Sequence, residues 1–138
     1  MRTIAVGTLA LVLAAFGGGA AAQDVRIDVT LSHTGSDRAG KRLVAVLAST
    51  FAASKQMKLV QTSDLRLGLY LATMPRGDST IYAATWTIGG MNDDGYLTSK
   101  VGVCANHAIR SCARAIAAET ARHASVLWAM RARPAATH

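Results

Sequence analysis

From Leu65 to Ala72 side chains alternate between a leucine face and its opposite, and with two further strand-like runs before Cys104 this period of two commits the middle of the 138-residue chain to strands. Leu65, Leu67, Leu69 and Leu71 fall on one side of the first run, and Arg66, Gly68, Tyr70 and Ala72 on the other. Pro75-Arg-Gly-Asp78 is turn chemistry, and a second run follows from Ser79 to Gly89. Asn92-Asp-Asp-Gly95 is a second turn signal, and a third run extends from Tyr96 to Cys104. With Arg76-Gly77 as the first turn, Leu71 faces Tyr82, Leu69 faces Ala84, Leu67 faces Trp86 and Leu65 faces Ile88. With Asp94-Gly95 as the second, Trp86 faces Val103 and Ile88 faces Val101. A slip of one residue flips every side chain of a strand, so this agreement predicts that Trp86, Ile88, Val101 and Val103 share the core face with the leucines. The opposite face then collects Arg66, Gly68, Tyr70, Ala83, Thr85, Thr87, Tyr96, Thr98 and Lys100. It is small, polar and rich in hydroxyls, as suits a solvated sheet face, and Arg66, Tyr70, Tyr96 and Lys100 make it a candidate shallow binding surface.

The flanking segments supply one more strand and the second layer. Val25, Ile27, Val29 and Leu31 alternate with Arg26, Asp28 and Thr30, which reads as a half-buried strand. His33 to Asp37 reads as a loop, with Ser36 or Asp37 capping a helix that runs to about Ala53 and carries Leu43, Leu47 and Phe51 on one stripe. Met57 to Val60 is a candidate short strand. A final helix starts near Asn106 or Ser111 and runs to about Met130, with Ile109, Cys112, Ile116, Thr120, His123, Leu127 and Met130 inward and His107, Arg110, Arg114 and Ser125 outward. The expected fold is α+β, a two-layer sandwich in the order β-α-(β)-β-β-β-α. A four- to five-stranded, mostly antiparallel sheet carries two helices on one face.

The first residues have the pattern of a cleavable secretory signal: Arg2, an apolar run from Ile4 to Phe16, a glycine stretch, and Ala20-Ala21-Ala22. Residues 1–22 are therefore expected to be removed, 23–130 to form a single domain, and 131–138 to be a flexible tail. Periplasmic or secreted localisation follows, with no transmembrane anchor after cleavage. In an oxidising compartment two cysteines pair, so Cys104 and Cys112 are expected to form a disulfide.

The formal net charge is +7, yet with 5% aromatic residues the chain lacks the basic and aromatic interleaving of a nucleic-acid binder, and no nucleic-acid partner is expected. Several patterns suggest sites. Gly35-Ser-Asp-Arg-Ala-Gly40-Lys41 matches the start of a phosphate-binding loop, but Arg42 stands where a hydroxyl must hold Mg²⁺. His33, His107, His123 and His138 have no metal-ligand spacing, and neither metal nor cofactor is expected. Ser32, His33 and Asp28 or Asp37 can be assembled into a nucleophile set on paper, although neighbouring strand residues point to opposite faces. His107, Arg110 and Arg114 form a basic helix face suited to an anionic partner.

At Val101-Gly-Val-Cys104, with Cys112 and then Ala113 and Ile116, the chain resembles small uncharacterised exported bacterial proteins. That resemblance brings no activity and no catalytic residues. The expected function is a non-catalytic exported binding or interaction domain for an anionic envelope component or a protein partner. The alternative is a small exported hydrolase.

Overall fold

The structure, a computed structural model, describes residues 26–90 and 94–131. The expected signal sequence, the residues of the expected tail beyond Arg131, and Asn92 and Asp93 of the expected turn lie outside them, whereas Asp94 and Gly95, expected to make that turn, are the first residues of a strand. Five strands form one sheet: β1 (Ile27–Thr34), β2 (Met57–Leu59), β3 (Arg66–Arg76), β4 (Ser79–Gly89) and β5 (Asp94–Ala105), in spatial order β2-β1-β3-β4-β5. Helix α1 (Arg38–Ala52) follows β1, and a short 3₁₀ turn at Asn106–Ala108 leads into α2 (Ile109–Arg131). β1 runs parallel to β2 and β3, whereas β3, β4 and β5 are antiparallel neighbours. The α+β sandwich is thus as expected, with the meander at one side and a β-α-β crossover at the other.

Alternation of apolar residues puts Ile27 and Val29 of β1, Leu67, Leu69 and Leu71 of β3, and Tyr82, Ala84 and Trp86 of β4 on one buried face. Onto it α1 presents Leu43, Leu47 and Phe51, and α2 presents Ile109, Ile116, Ala124 and Leu127. Trp86 is at the centre, fully buried, and its indole N–H donates to the Thr120 hydroxyl at 2.9 Å. That hydroxyl in turn donates to the Ile116 carbonyl at 2.8 Å, so the largest core side chain is tied to the middle of α2 by a satisfied polar link. Met130, expected inward, is exposed, and β1 continues through His33 and Thr34, where a loop was expected.

Two registers differ from expectation, with different consequences. Arg76 pairs with Ser79, so the β3–β4 turn is Gly77-Asp78 with Gly77 at φ +54°. Leu69, not Leu67, therefore faces Trp86, a shift of two residues that leaves every side chain on its expected face. Between β4 and β5 the pairing reaches Gly89–Asp94, and a bulge opposite Trp86/Thr87 inserts one extra residue into β5. Tyr96 keeps its expected face. Beyond the bulge all alternation is inverted: Val101 and Val103 are 71% and 54% exposed, while Cys104 is fully buried.

Candidate functional site

The phosphate-loop pattern and the hydrolase set converge on one small cluster where β1 meets α1. Asp37 caps α1, its carboxylate accepting from the Gly40 amide at 2.7 Å. The same carboxylate accepts from the Thr73 hydroxyl at 2.6 Å and the Thr80 hydroxyl at 2.9 Å, from the two strands beneath. Burial pushes the Asp37 carboxyl up, but the bonds from Thr73, Gly40 and Thr80 outweigh it and hold the group below its ordinary value. The place where a phosphate would meet the helix amides is thus filled by the chain's own carboxylate. Both glycines of the pattern have local reasons. A side chain on Gly40 would meet Thr73 Cβ and Asp37 Oδ1 at 2.7 Å, and one on Gly35, at φ +140°, would meet the Thr73 carbonyl at 2.6 Å.

His33 Nε2 lies 2.8 Å from the Thr73 hydroxyl, which links His33, Thr73 and Asp37 in a row. The proton order is wrong for activating a nucleophile. The ionised Asp37 takes the Thr73 proton, so His33 must donate to Thr73 and cannot act as its base. Ser32 is exposed and pairs across the sheet with Tyr70 on the other face, away from His33. Among the described residues no three His, Cys, Asp or Glu side chains come together in a group that could hold a metal ion. His123 packs on Trp86 with ring centroids 5.3 Å apart; burial lowers its basicity, and its buried Nε2 has no hydrogen-bond partner among the described residues.

The sheet face turned away from the helices contains Arg66, Tyr70 and Tyr96 as expected, but not Lys100. Past the bulge Lys100 pairs with Ala84 on the helix side, and its ammonium lies 3.3 Å from Glu119 of α2. Thr98 likewise pairs with Trp86. Val101 and Val103 take the places assigned to those polar residues. At one end of this open face Asp94 accepts from Arg66 and from the Tyr70 hydroxyl, both at 2.8 Å. The hydrogen bond to Asp94, with burial and the carboxylate's charge behind it, raises the Tyr70 phenol. At the other end, Met74 pairs with Ile81 and Ile81 with Val103, forming an apolar row. This end of the face is therefore apolar across β3, β4 and β5, where a solvated hydroxyl surface was expected.

The helix layer has the opposite character. β1, β3 and β5 point the same way, and each helix follows one of them back across the sheet, so both helix N-termini lie at one end of the molecule. Along α1 and α2 stand seven Arg or Lys residues, all exposed, against the carboxylates of Glu119 on α2 and of Asp37, the buried cap of α1. Neither helix has an acidic residue in its first turn. Instead Arg38, Lys41 and Arg42 on α1 and Arg110 and Arg114 on α2 crowd the end that already has the positive poles of both helix dipoles. His107 is exposed in the 3₁₀ turn beside them, and Asn106 donates to the Asp78 carbonyl at 2.9 Å, tying that turn to the β3–β4 hairpin. Cys104 and Cys112 form a disulfide, with Cα atoms 6.1 Å apart, that fixes the start of α2 to the end of β5.

No protein-family profile matches the chain, and no curated protein sequence matches it either. Among solved structures, a minor lipoprotein from Acinetobacter baumannii superposes with a TM-score of 0.50 at 10% identity, over 72% of this chain and 95% of that one. A putative lipoprotein from Caulobacter crescentus gives 0.44 at 14% identity over 78% and 93% of the two chains. A PelC variant dodecamer from Paraburkholderia phytofirmans gives 0.41 at 14% identity over 69% and 82%. The first of these likenesses shows a shared fold.

Proposed function

We propose that this chain is an exported, non-catalytic binding domain that docks on an anionic envelope component through the end of the helix layer. The observation that carries the reading is the concentration of Arg38, Lys41, Arg42, Arg110 and Arg114 around two helix N-termini. Arg38 and Arg110, in the first turns, work against the helix dipoles by roughly 0.3–1 kcal/mol each, and the cluster of like charges around them repels itself, so the arrangement is best explained by an anion that it meets. The leader-like first residues and the disulfide support an exported location, and the lipoprotein with the same fold is consistent with it. No described helix is long and apolar enough to cross a membrane.

The test is co-sedimentation with vesicles of neutral phospholipid and of neutral phospholipid containing an acidic lipid. Near an anionic surface each basic residue contributes about 1 kcal/mol, so replacing Arg110 and Arg114 with Gln lowers partitioning roughly 30-fold. Binding weakens as salt rises. Equal retention by neutral and acidic vesicles, or no effect of the double replacement, overturns the reading.

A further inference from the structure

The open face of the sheet has no element of the described chain packed on it, yet much of it is apolar. Met74, Tyr96, Val101 and Val103 are 58%, 70%, 71% and 54% exposed. Met74, Val101 and Val103 are contiguous, because the register sets Met74, Ile81 and Val103 in one row across β3, β4 and β5, and Ala72, Ala83 and Val101 in the next; Tyr96 lies two rows further on, beyond Tyr70, Thr85 and Ser99. Polar strand residues serve on a sheet face that stays in water, so these rows point to a cover.

We propose that the cover is a second copy of this chain, packed sheet on sheet in a twofold dimer with the helix layers outward. Area and charge select that occupant. The five strands have 8, 3, 11, 11 and 12 residues. At about 3.3 Å by 4.8 Å per strand residue they present roughly 700 Å². A stable interface takes about 800 Å² from each partner, so the face matches what one copy needs from another. Two molecules of net charge +7 repel, most strongly through the helix layers. The open face is where that repulsion is least: its apolar rows are uncharged, Arg66 is paired with Asp94, Asp28 stands across from Lys58, and Arg76 is the further strand cation, at the hairpin end beyond those rows, against seven exposed cations on the helix layer. A twofold interface must also complement itself, and rows of Val, Ile, Met and Ala do so, whereas a basic surface cannot. Small side chains at Ala72 and Ala83 let two such faces approach to the roughly 10 Å spacing of packed sheets.

This interface is on the face opposite the proposed anionic docking surface and responds oppositely to salt, so either proposal can fail without the other. The experiment is sedimentation equilibrium on purified protein, its N-terminus read by mass spectrometry, at low and high salt, beside V101D and V103D. Both positions are exposed, so both variants fold, which circular dichroism checks. The expected result is a dimer that holds or tightens at high salt and that either variant weakens by about 100-fold, since each sets like charges against each other across the twofold axis. A monomer up to about 100 μM, where such a dimer would be populated, overturns the proposal. So does a dimer that neither variant disturbs, because its interface is then elsewhere. Oxidative footprinting adds a second reading: Met74 and Tyr96 should lose reactivity as concentration rises, and unchanged labelling across the dimer transition counts against this face.

Discussion

Replacing Asp37 with Ala removes one carboxylate and three hydrogen bonds at the joint between α1 and the sheet. The loss of an N-cap alone is worth about 1 kcal/mol. Asp37 is also the ionised acceptor for Thr73 and Thr80, and hydrogen bonds to a charged group are worth about 1.5–3 kcal/mol each. Thr80 is fully buried and keeps the Met74 carbonyl at 3.2 Å, so part of its share survives. The expected cost of Asp37→Ala is about 3 kcal/mol, a large fraction of the roughly 5–15 kcal/mol that holds a domain together. Urea unfolding followed by tryptophan fluorescence reads it, because Trp86 is fully buried and Trp128 is half exposed. The pH dependence gives the sharper test. The folded Asp37 lies below its ordinary 3.8, so its contribution is complete above that value and is lost as pH falls through the folded one. The gap between native and Asp37→Ala protein should therefore be constant near neutrality and close below about pH 3.8. A cost under about 1 kcal/mol, or a gap that persists at the lowest pH where both fold, would refute a charged cap bound by three donors.

Other expectations follow from single contacts. Removing the Cys104–Cys112 bridge with paired serines should lower stability by about 2.5 kcal/mol on the chain-entropy estimate, read by denaturant midpoint; free thiols in non-reduced native protein would contradict the bridge. Gly40→Ala should be destabilising by more than the usual helix gain from alanine, because the new methyl meets Thr73 and Asp37; a stabilised variant would show that this joint can open at little cost. His123, buried against Trp86, has a folded basicity below its ordinary 6.5. Its stabilising share is complete above 6.5 and declines as pH falls toward the folded value. Native protein should lose stability on acidification below neutrality and His123→Phe should lose less, with equal slopes counting against it.

The strands that belong to the core were legible because their period of two is long and clean, and the leucines of β3 with Trp86 of β4 lie where alternation puts them. The error in the β3–β4 turn was harmless because a shift of two preserves parity. The bulge was not harmless, and β5 alone contains little to announce it, since Leu97 and Thr98 are ordinary strand residues. One signal elsewhere did. Cys104 must face the helix layer to reach Cys112, and two residues so spaced cannot both be satisfied by a core facing Val101 and Val103. Taking the disulfide as a constraint on register would have turned those valines outward and Lys100 toward Glu119. The Asp37 cap was readable at Ser36-Asp37, but not its three-way bonding, because Thr73 and Thr80 come from strands far along the chain and no local pattern predicts them.

The two layers divide the physical work in a way that composition conceals. A formal charge of +7 spread evenly would be a solubility device, but here seven of the basic side chains stand on two helices against only Glu119 and the buried Asp37 cap. The sheet's outer face, by contrast, pairs Arg66 with Asp94, sets Asp28 across from Lys58, leaves Arg76 at the hairpin end, and places exposed apolar side chains in adjacent rows. A protein with one hydrated cationic layer and one nearly neutral apolar face has different solvents on its two sides, and the same rise in salt weakens contacts on the first while relieving repulsion across the second. Stability therefore depends least on these surfaces and most on what joins them: the Asp37 cap under α1, the Trp86–Thr120 link under α2, and the Cys104–Cys112 bridge at its start. A change at any of these joints should disturb both surfaces together, whereas Arg110, Arg114, Val101 and Val103 can each be altered with the fold intact, which separates loss of binding from loss of structure.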